Sequence, residues 1–315
     1  MSQLPTFSDI EKAHDRIRPF IHHTPVLTSK NINQIVGAEL FFKCENLQKV
    51  GAFKFRGACN SVFALTPEEA ENGVCTHSSG NHAAALALAA RMRVIPAYIV
   101  MPENAPEIKK KAVAGYGAQI TFCEPTLAAR ESTLKQVAEQ TGATEIHPYN
   151  YFNVICGQGT AAKELIEEIG HLDVVMAPVG GGGLLSGTAI SSKAMLPNVK
   201  VIAAEPAGAD DAFRSFYSKS LVPSVAPKTI ADGLLTSLGS LTFPIILNEV
   251  DDIVTVSEES IVAAMRMVWE RMKIIIEPSS AVPLAAILES KVDVKSKKVG
   301  IILSGGNVDL GKLPF

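Results

Sequence analysis

No apolar run in the 315-residue chain approaches the ~20 residues that a membrane-spanning helix needs. The amino terminus, MSQLPTFSDIEKAHDRIRPF, mixes both charge signs and lacks the apolar core of a secretory signal. Strong net charge is missing as well. With 29 Lys and Arg against 32 Asp and Glu, the net charge is −3 and the pI is near 6.2, so neither nucleic acid nor an anionic membrane is an expected partner. The five cysteines, Cys44, Cys59, Cys75, Cys123 and Cys156, form an odd set without a CxxC pair, which argues against a disulfide framework and for reduced core thiols in the cytoplasm. Internal repeats, low-complexity tracts and flexible linkers are also absent. What remains, 47% hydrophobic and 19% charged residues, describes a globular protein of one or two domains whose ligand is small.

Apolar strand patterns alternate with amphipathic helices. Strands are expected at ELFFKCE (39–45), GVCTHSS (73–79), PAYIVM (96–101), AQITFC (118–123), DVVMAPVG (173–180), KVIAAEP (200–206), DDIVTVS (251–257) and KVGIILSG (298–305). Their continuous Val, Ile and Ala runs suit strands covered on both faces, as in parallel sheets. NHAAALALAARM, PEIKKKAVAGY, TLAARESTLKQVAEQ, NVICGQGTAAKELIEEI, LLSGTAISSKAML and ESIVAAMRMVWERMK read as helices. The pattern predicts an α/β protein with two open, mostly parallel sheets. Residues 73–145 form a small domain inserted into a large one made of 1–72 and 146–315. Ligands of such folds sit at the carboxyl ends of strands.

Five segments occupy such ends or precede helices. In GAFKFRG (51–57) Lys54 lies between Phe53 and Phe55. Its stem can rest on the rings with the ammonium in water, or an apolar pocket can lower its pKa and leave a neutral amine able to attack a carbonyl. After DVVMAPV come Gly180, Gly181, Gly182 and Gly183 and then a helix, an arrangement that turns backbone N–H groups toward one anion. The spacing is neither a Walker loop nor GxGxxG, so a phosphomonoester fits better than a nucleotide. HSSGNH (77–82) places Ser78, Ser79, Gly80 and Asn81 at a helix start, suited to a carboxylate or to ordinary capping, and His82 alone reads as a structural histidine. SGGNVD (304–309) offers Ser304 to a ring nitrogen beside glycines that admit a flat ligand. EPAGADD (205–211) brings Glu205 and Asp211 around a small-residue turn, hard oxygen ligands for Mg²⁺ or Ca²⁺ unless the loop is simply solvated.

Taken together, GAFKFRGA, HSSGNHA, GQGT (157–160), PVGGGG, EPAGADD, IADG (230–233) and SGGNVD resemble, in order and over nearly the whole chain, the fold-type II enzymes dependent on pyridoxal 5′-phosphate (PLP). Within this tryptophan-synthase-β-like class the resemblance is to the serine racemase and serine/threonine dehydratase family. It implies that Lys54 is the Schiff-base lysine with Phe53 packed beside the cofactor ring. It also implies that Gly180 to Gly183 hold the phosphate, that Asn81 and the backbone near Gly233 meet the ring hydroxyl, and that Ser304 faces the pyridine nitrogen. Ser78, Ser79, Gly80, Asn81 and His82 belong to the loop that receives substrate. Glu205, the carbonyl of Ala209 and Asp211 match the divalent-cation site of the racemase branch, for Mg²⁺ or Ca²⁺ with Mn²⁺ as a third candidate.

Ser79 discriminates best, because dehydratases for threonine commonly read SAGNH where this chain, like racemases, has SSGNH. Lys54 and Ser79 then serve as catalytic groups on opposite faces of the cofactor. The implied activity is racemisation of serine together with dehydration of L-serine to a 2-oxo acid and ammonia. The alternative is a dedicated L-threonine or L-threo-3-hydroxyaspartate dehydratase. A β-replacement enzyme and a non-catalytic phosphate-binding protein are more distant alternatives. Departures also count. NHAAA stands where animal racemases resemble NHGQA, so Ala84 removes a polar group of their nucleotide site, although Lys49 and Asn307 remain. Tyr149 and Asn150 of HPYN lie where substrate choice could be set. The chain stops soon after SGGNVD, so no carboxyl-terminal regulatory domain and no isoleucine feedback are expected. A small amino-acid substrate and a homodimer complete the expectation.

Overall fold

The computed structural model describes residues 3–78, 80–105 and 107–315. Helix α1 (Phe7–Ile17), strand β1 (Val26–Leu27) and helix α2 (Lys30–Val36) lead into β2 (Glu39–Cys44) and then α3 (Lys54–Ala64) and α4 (Pro67–Ala70). Next come β3 (Val74–His77), α5 (Asn81–Arg93), β4 (Ala97–Pro102), α6 (Glu107–Gly115), β5 (Gln119–Cys123), α7 (Leu127–Thr141) and β6 (Thr144–Glu145). The chain continues through α8 (Phe152–Ile169), β7 (Val174–Pro178), α9 (Gly183–Met195), β8 (Lys200–Pro206), α10 (Asp211–Ser218) and α11 (Thr242–Glu249). It ends with β9 (Asp252–Val256), α12 (Glu258–Met272), α13 (Pro278–Leu288) and β10 (Lys298–Leu303).

These strands build two sheets. One has the order β1-β2-β10-β7-β8-β9, parallel except where β1 joins β2, and the other has the all-parallel order β5-β4-β3-β6. The α/β architecture with mostly parallel sheets is therefore as expected, and each anticipated strand forms within two residues of its bounds. The two-residue strands β1 and β6 are too short to carry a period and were not anticipated.

Alternate residues of the larger sheet face different cores, which explains the unbroken apolar runs. Val174, Met176, Val299, Ile301 and Leu303 pack under α12 and α13, whereas Val175, Ala177, Val201, Ala203 and Ile302 pack under α8 and α9. In the smaller sheet Val74, Ala97 and Ile99 meet α3 and α5, and Cys75 and Val100 meet α7. Helix α3 thus lies where the two sheets' cores approach one another. The carboxyl ends of β2, β3, β7, β8 and β10 deliver the segments singled out above: Lys54 follows β2, Ser78 to His82 follow β3, Gly180 to Gly183 follow β7, Glu205 ends β8, and Ser304 follows β10. No described helix is long and apolar enough to cross a membrane.

Strand β10 is central, hydrogen-bonded to β2 on one side and β7 on the other. Truncating its fully buried Ile301 by Ile301→Ala should leave a cavity on the α13 side and lower stability by about 2–4 kcal/mol. A shift of the urea midpoint without a change in slope would record that loss.

Candidate active site

Lys54 opens helix α3, and its position follows from a chain of backbone contacts. Phe53 N–H donates to Ser304 O at 2.9 Å, Gly306 N–H donates to Gly51 O at 2.9 Å, and Ala52 bridges to Gly305. The segment before the lysine is in this way stitched to the loop after β10. Lys54 Nζ lies 5.1 Å from the centre of the Phe53 ring and donates to Pro148 O at 2.9 Å. The surrounding protein strips water from the ammonium and lowers its pKa to about 8, while the negative charge of Glu277 opposes that shift. Partly buried beside the Phe53 ring and bonded to a carbonyl, the Lys54 amine has surroundings that favour its neutral form.

The neighbouring imidazoles add no positive charge. His82 is buried, with Nε2 3.2 Å from Ile146 O, and burial followed by repulsion from Lys54 holds its pKa well below the ordinary value. His147 is brought down to about 4 by burial, with His77 and Lys54 contributing. Its Nδ1 accepts from Tyr149 N–H at 3.3 Å and Asn150 N–H at 2.9 Å, which braces the turn carrying the Pro148 carbonyl.

The four glycines make a turn that side chains would fill. Gly182 has φ +86° and caps α9, and a Cβ there would lie 2.9 Å from Ile246, Leu238 and Thr242. A Cβ on Gly181 would come within 2.3 Å of the Tyr149 ring, one on Gly183 within 3.0 Å of Tyr149 Cβ, and one on Gly180 within 3.0 Å of Leu234 Cα. The first N–H groups of α9 have no carbonyl one turn back to receive them. A cradle of donors at the amino terminus of a 13-residue helix fits a phosphomonoester.

Across the cleft, Asn81 starts α5. Its Nδ2 donates to both carboxylate oxygens of Glu277 at 3.1 Å, and its Oδ1 accepts from Asn307 Nδ2 at 3.0 Å. Glu277 is almost fully buried, and burial, reinforced by the Asp232 charge, pushes its pKa up to about 7. Gly233 donates its N–H to Ser279 Oγ at 3.2 Å, and its carbonyl borders Gly180. Ser304 Oγ is buried 3.1 Å from Ser280 Oγ, a neutral hydroxyl pair with no carboxylate bonded to it. Ser78 Oγ accepts from Gly80 N–H at 3.3 Å, and Gly80 is the N-cap of α5. Ser79 lies outside the described residues.

Contacts therefore link these residues: Phe53 to Ser304, Lys54 through Pro148 to the Tyr149 that packs on Gly181 and Gly183, and Gly233 to Gly180, while Asn81 bonds Glu277. Glu205, Ala209 and Asp211 form a separate cluster. Glu205 accepts from Ala212 N–H at 3.1 Å and Phe213 N–H at 2.9 Å, and burial raises it to about 8. Asp211 is buried, and burial raises it to about 6 against the opposing pull of the Ser224 hydroxyl. Among the described residues no three Asp, Glu, His or Cys side chains gather for a metal, so a cation here would need the Ala209 carbonyl and water beside the two carboxylates.

The residues fit PLP on two observations: a glycine turn at the amino terminus of α9 whose N–H groups suit a phosphate, and the Lys54 amine with its pKa lowered by burial. A family model, "Pyridoxal-phosphate dependent enzyme", matches residues 17–305. The chain belongs to that family. Among pyridoxal-phosphate-dependent enzymes it is 56% identical to a serine racemase of Dictyostelium discoideum over 98% of this chain and 96% of the relative. It is 52% identical to a beta-hydroxyaspartate dehydratase of Paracoccus denitrificans over 99% of both chains. The crystal structure of the Dictyostelium discoideum serine racemase superposes with a TM-score of 0.93 at 57% identity, covering 97% of this chain and 99% of that one. The tertiary structure adds site residues that sequence reading passed over. Glu277 reads as an acid before a helix proline, and Pro148 contributes only a carbonyl, so neither announces itself in EPSS or HPYN.

The lysine environment predicts a pH signature. In cofactor-free protein the uncharged fraction of Lys54 should rise with pH to half-maximum near 8, about two units below an ordinary lysine. Glu277→Gln removes a charge that favours the ammonium, so it should move the midpoint further down. Acetylation followed by peptide mapping, read at Lys54 as a function of pH, measures both.

Proposed function

We propose that this enzyme interconverts L- and D-serine and also dehydrates L-serine to a 2-oxo acid and ammonia. The carrying observation is the Lys54 amine with its pKa lowered by burial, set by Phe53 against the loop of Ser304, whose hydroxyl has only a neutral serine partner. The relative named serine racemase at 56% identity supports this reading. A second reading, dehydration of a 3-hydroxyaspartate, is favoured by the relative named beta-hydroxyaspartate dehydratase at 52%, and a dedicated threonine dehydratase would use the same residues.

When bound, PLP supplies an aldehyde carbon for the amino group and a conjugated ring that takes up the electron pair left as the Cα proton departs. Phe53, Asn81, Gly180 to Gly183, Gly233 and Ser304 would hold it. Lys54 Nζ, neutral at mildly alkaline pH, removes the Cα proton from one face. Ser79 returns a proton on the other face, giving the opposite enantiomer. Ser78, Gly80, Asn81 and His82 receive the substrate carboxylate at the start of α5, where N–H groups and the helix dipole favour an anion. Ser304 and Ser280 offer only neutral hydroxyls, so a bound ring nitrogen would gain no carboxylate partner here and would stabilise the Cα electron pair only weakly. Loss of the β-hydroxyl therefore competes with reprotonation.

The Glu205, Ala209 and Asp211 cluster is assigned to a divalent cation, Mg²⁺ or Ca²⁺, because two neighbouring buried carboxylates, each raised by burial and by nearby negative charge, are costly without one. The division into a large domain (1–72 and 146–315) and a small one (73–145), a homodimer and a cytoplasmic location complete the reading. The free, buried state of all five cysteines supports the last.

Purified enzyme loaded with PLP should convert L-serine to both D-serine and a 2-oxo acid, and Lys54→Ala should abolish both products. Chiral chromatography showing no D-serine would remove racemisation, and faster turnover of L-threo-3-hydroxyaspartate than of serine would establish the second reading. After chelation, added Mg²⁺ should raise the melting temperature of the wild type but not of Asp211→Ala.

A further inference from the structure

The second cation of GAFKFRG and the GQGT motif have no part in the chemistry above, yet the structure joins them. Arg56 is fully buried, and its guanidinium bonds are all internal. Nε and Nη2 donate to Glu45 at 2.7 and 2.8 Å. Nη1 and Nη2 donate to Glu164 at 2.8 and 2.7 Å, and Nη1 also donates to Thr160 Oγ1 at 3.1 Å. Lys43 Nζ completes the charge set, 2.7 Å from Glu164 and 2.6 Å from Thr24 O, while Thr24 Oγ1 donates to Glu45 at 2.6 Å. Lys43, Glu45 and Arg56 are 0% exposed and Glu164 is 1% exposed, so two positive and two negative groups pair in the interior, with His14 Nε2 3.4 Å from Glu164 at the edge of the cluster.

Residues two apart on a helix point about 200° from each other. Lys54 faces the cleft and Arg56 faces α8, so the first turn of α3 is held from behind. The GQGT residues make that hold close. A Cβ on Gly157 would lie 2.6 Å from Arg56 O, so only glycine lets the two helix backbones meet there. Gln158 Oε1 accepts from Gly57 N–H at 3.2 Å, and Thr160 receives Arg56.

We infer that Arg56 is a positioning residue for Lys54: its clamp to Glu45, Thr160 and Glu164 fixes the first turn of α3, and with it the depth at which the amine meets the cofactor aldehyde. The inference rests on Lys54 being the amine that captures PLP. A guanidinium is suited to the task because its planar fork serves two carboxylates at once, which a lysine ammonium cannot do with fixed geometry. A loosened turn would let the Lys54 amine shift toward water. Misplacement by about 1 Å can cost up to about 100-fold in rate.

The test uses cofactor-free wild type, Arg56→Lys and Thr160→Val, each checked for folding by its thermal transition. PLP capture is followed by stopped-flow absorbance and located by borohydride fixation and peptide mapping. Acetylation of Lys54 across pH is read in parallel. Arg56→Lys should capture PLP about tenfold more slowly, with its acetylation midpoint displaced upward toward ordinary lysine. Thr160→Val, which removes the hydroxyl that accepts from Arg56 and donates to Gly157 O but keeps both carboxylate bonds, should change both readouts in the same sense by less. If both folded variants capture PLP and acetylate as the wild type does, and lose only thermal stability, the inference is overturned. Should Arg56→Lys fail to fold, Thr160→Val decides by the same two readouts. If wild-type Lys54 carries no pyridoxyl label, the function assigned to it falls, and the acetylation midpoints still judge the clamp.

Discussion

The penalty for keeping an ammonium out of water governs the layout of the cleft. Lys54 has no carboxylate within hydrogen-bond reach. Its partner is the Pro148 carbonyl at 2.9 Å, and Glu277 acts only through space. Lys43 is also buried but has a carboxylate oxygen 2.7 Å away. The same side chain is thus an ion-pair member at one end of this interior and a free amine at the other. Desolvation is a cost when a charge must be retained and a chemical resource when the neutral form is wanted. The uncharged histidines around Lys54 follow the same logic, because an imidazolium there would add repulsion to an already dry site.

Glu277 ties this interior to the approach of substrate. One carboxylate gathers Asn81, at the start of a helix packed on the smaller sheet, and the N–H of Asn307, which follows the larger sheet. Lys109 and Asp232 make an ion pair between the same two parts of the molecule. These polar contacts stand beside the apolar packing of α3 on α5 and the smaller sheet, where Phe55, Ala58 and Val62 share one core with Ala83, Leu86 and Ile99.

Much of this was legible in the chain because the chemistry sits where local rules are strict. Glycines at 180 to 183 are needed where Tyr149 and Leu234 leave no room for a Cβ, and strands such as VVMAP and KVGIIL are apolar on both faces because helices cover both. The illegible parts depend on partners distant in sequence. Arg56 and Glu164 are 108 residues apart, and nothing in KFRG or KELI indicates that they meet. Helix α1 went unread because Ile10, Ala13 and Ile17 give it only a narrow apolar stripe, and α13 because Pro283 stands inside it. In that helix burial overrides propensity.

The five thiols are sunk in apolar surroundings. Burial pushes Cys44, Cys59, Cys75 and Cys156 up to about 12 and raises Cys123 as well. Thiolates add readily to aldehydes and would compete for a cofactor that arrives as one. Storing sulfur only as protonated filler removes that rival, so loading this protein with PLP is a contest among amines alone, and the advantage lies with Lys54, whose pKa burial lowers and which no carboxylate pairs.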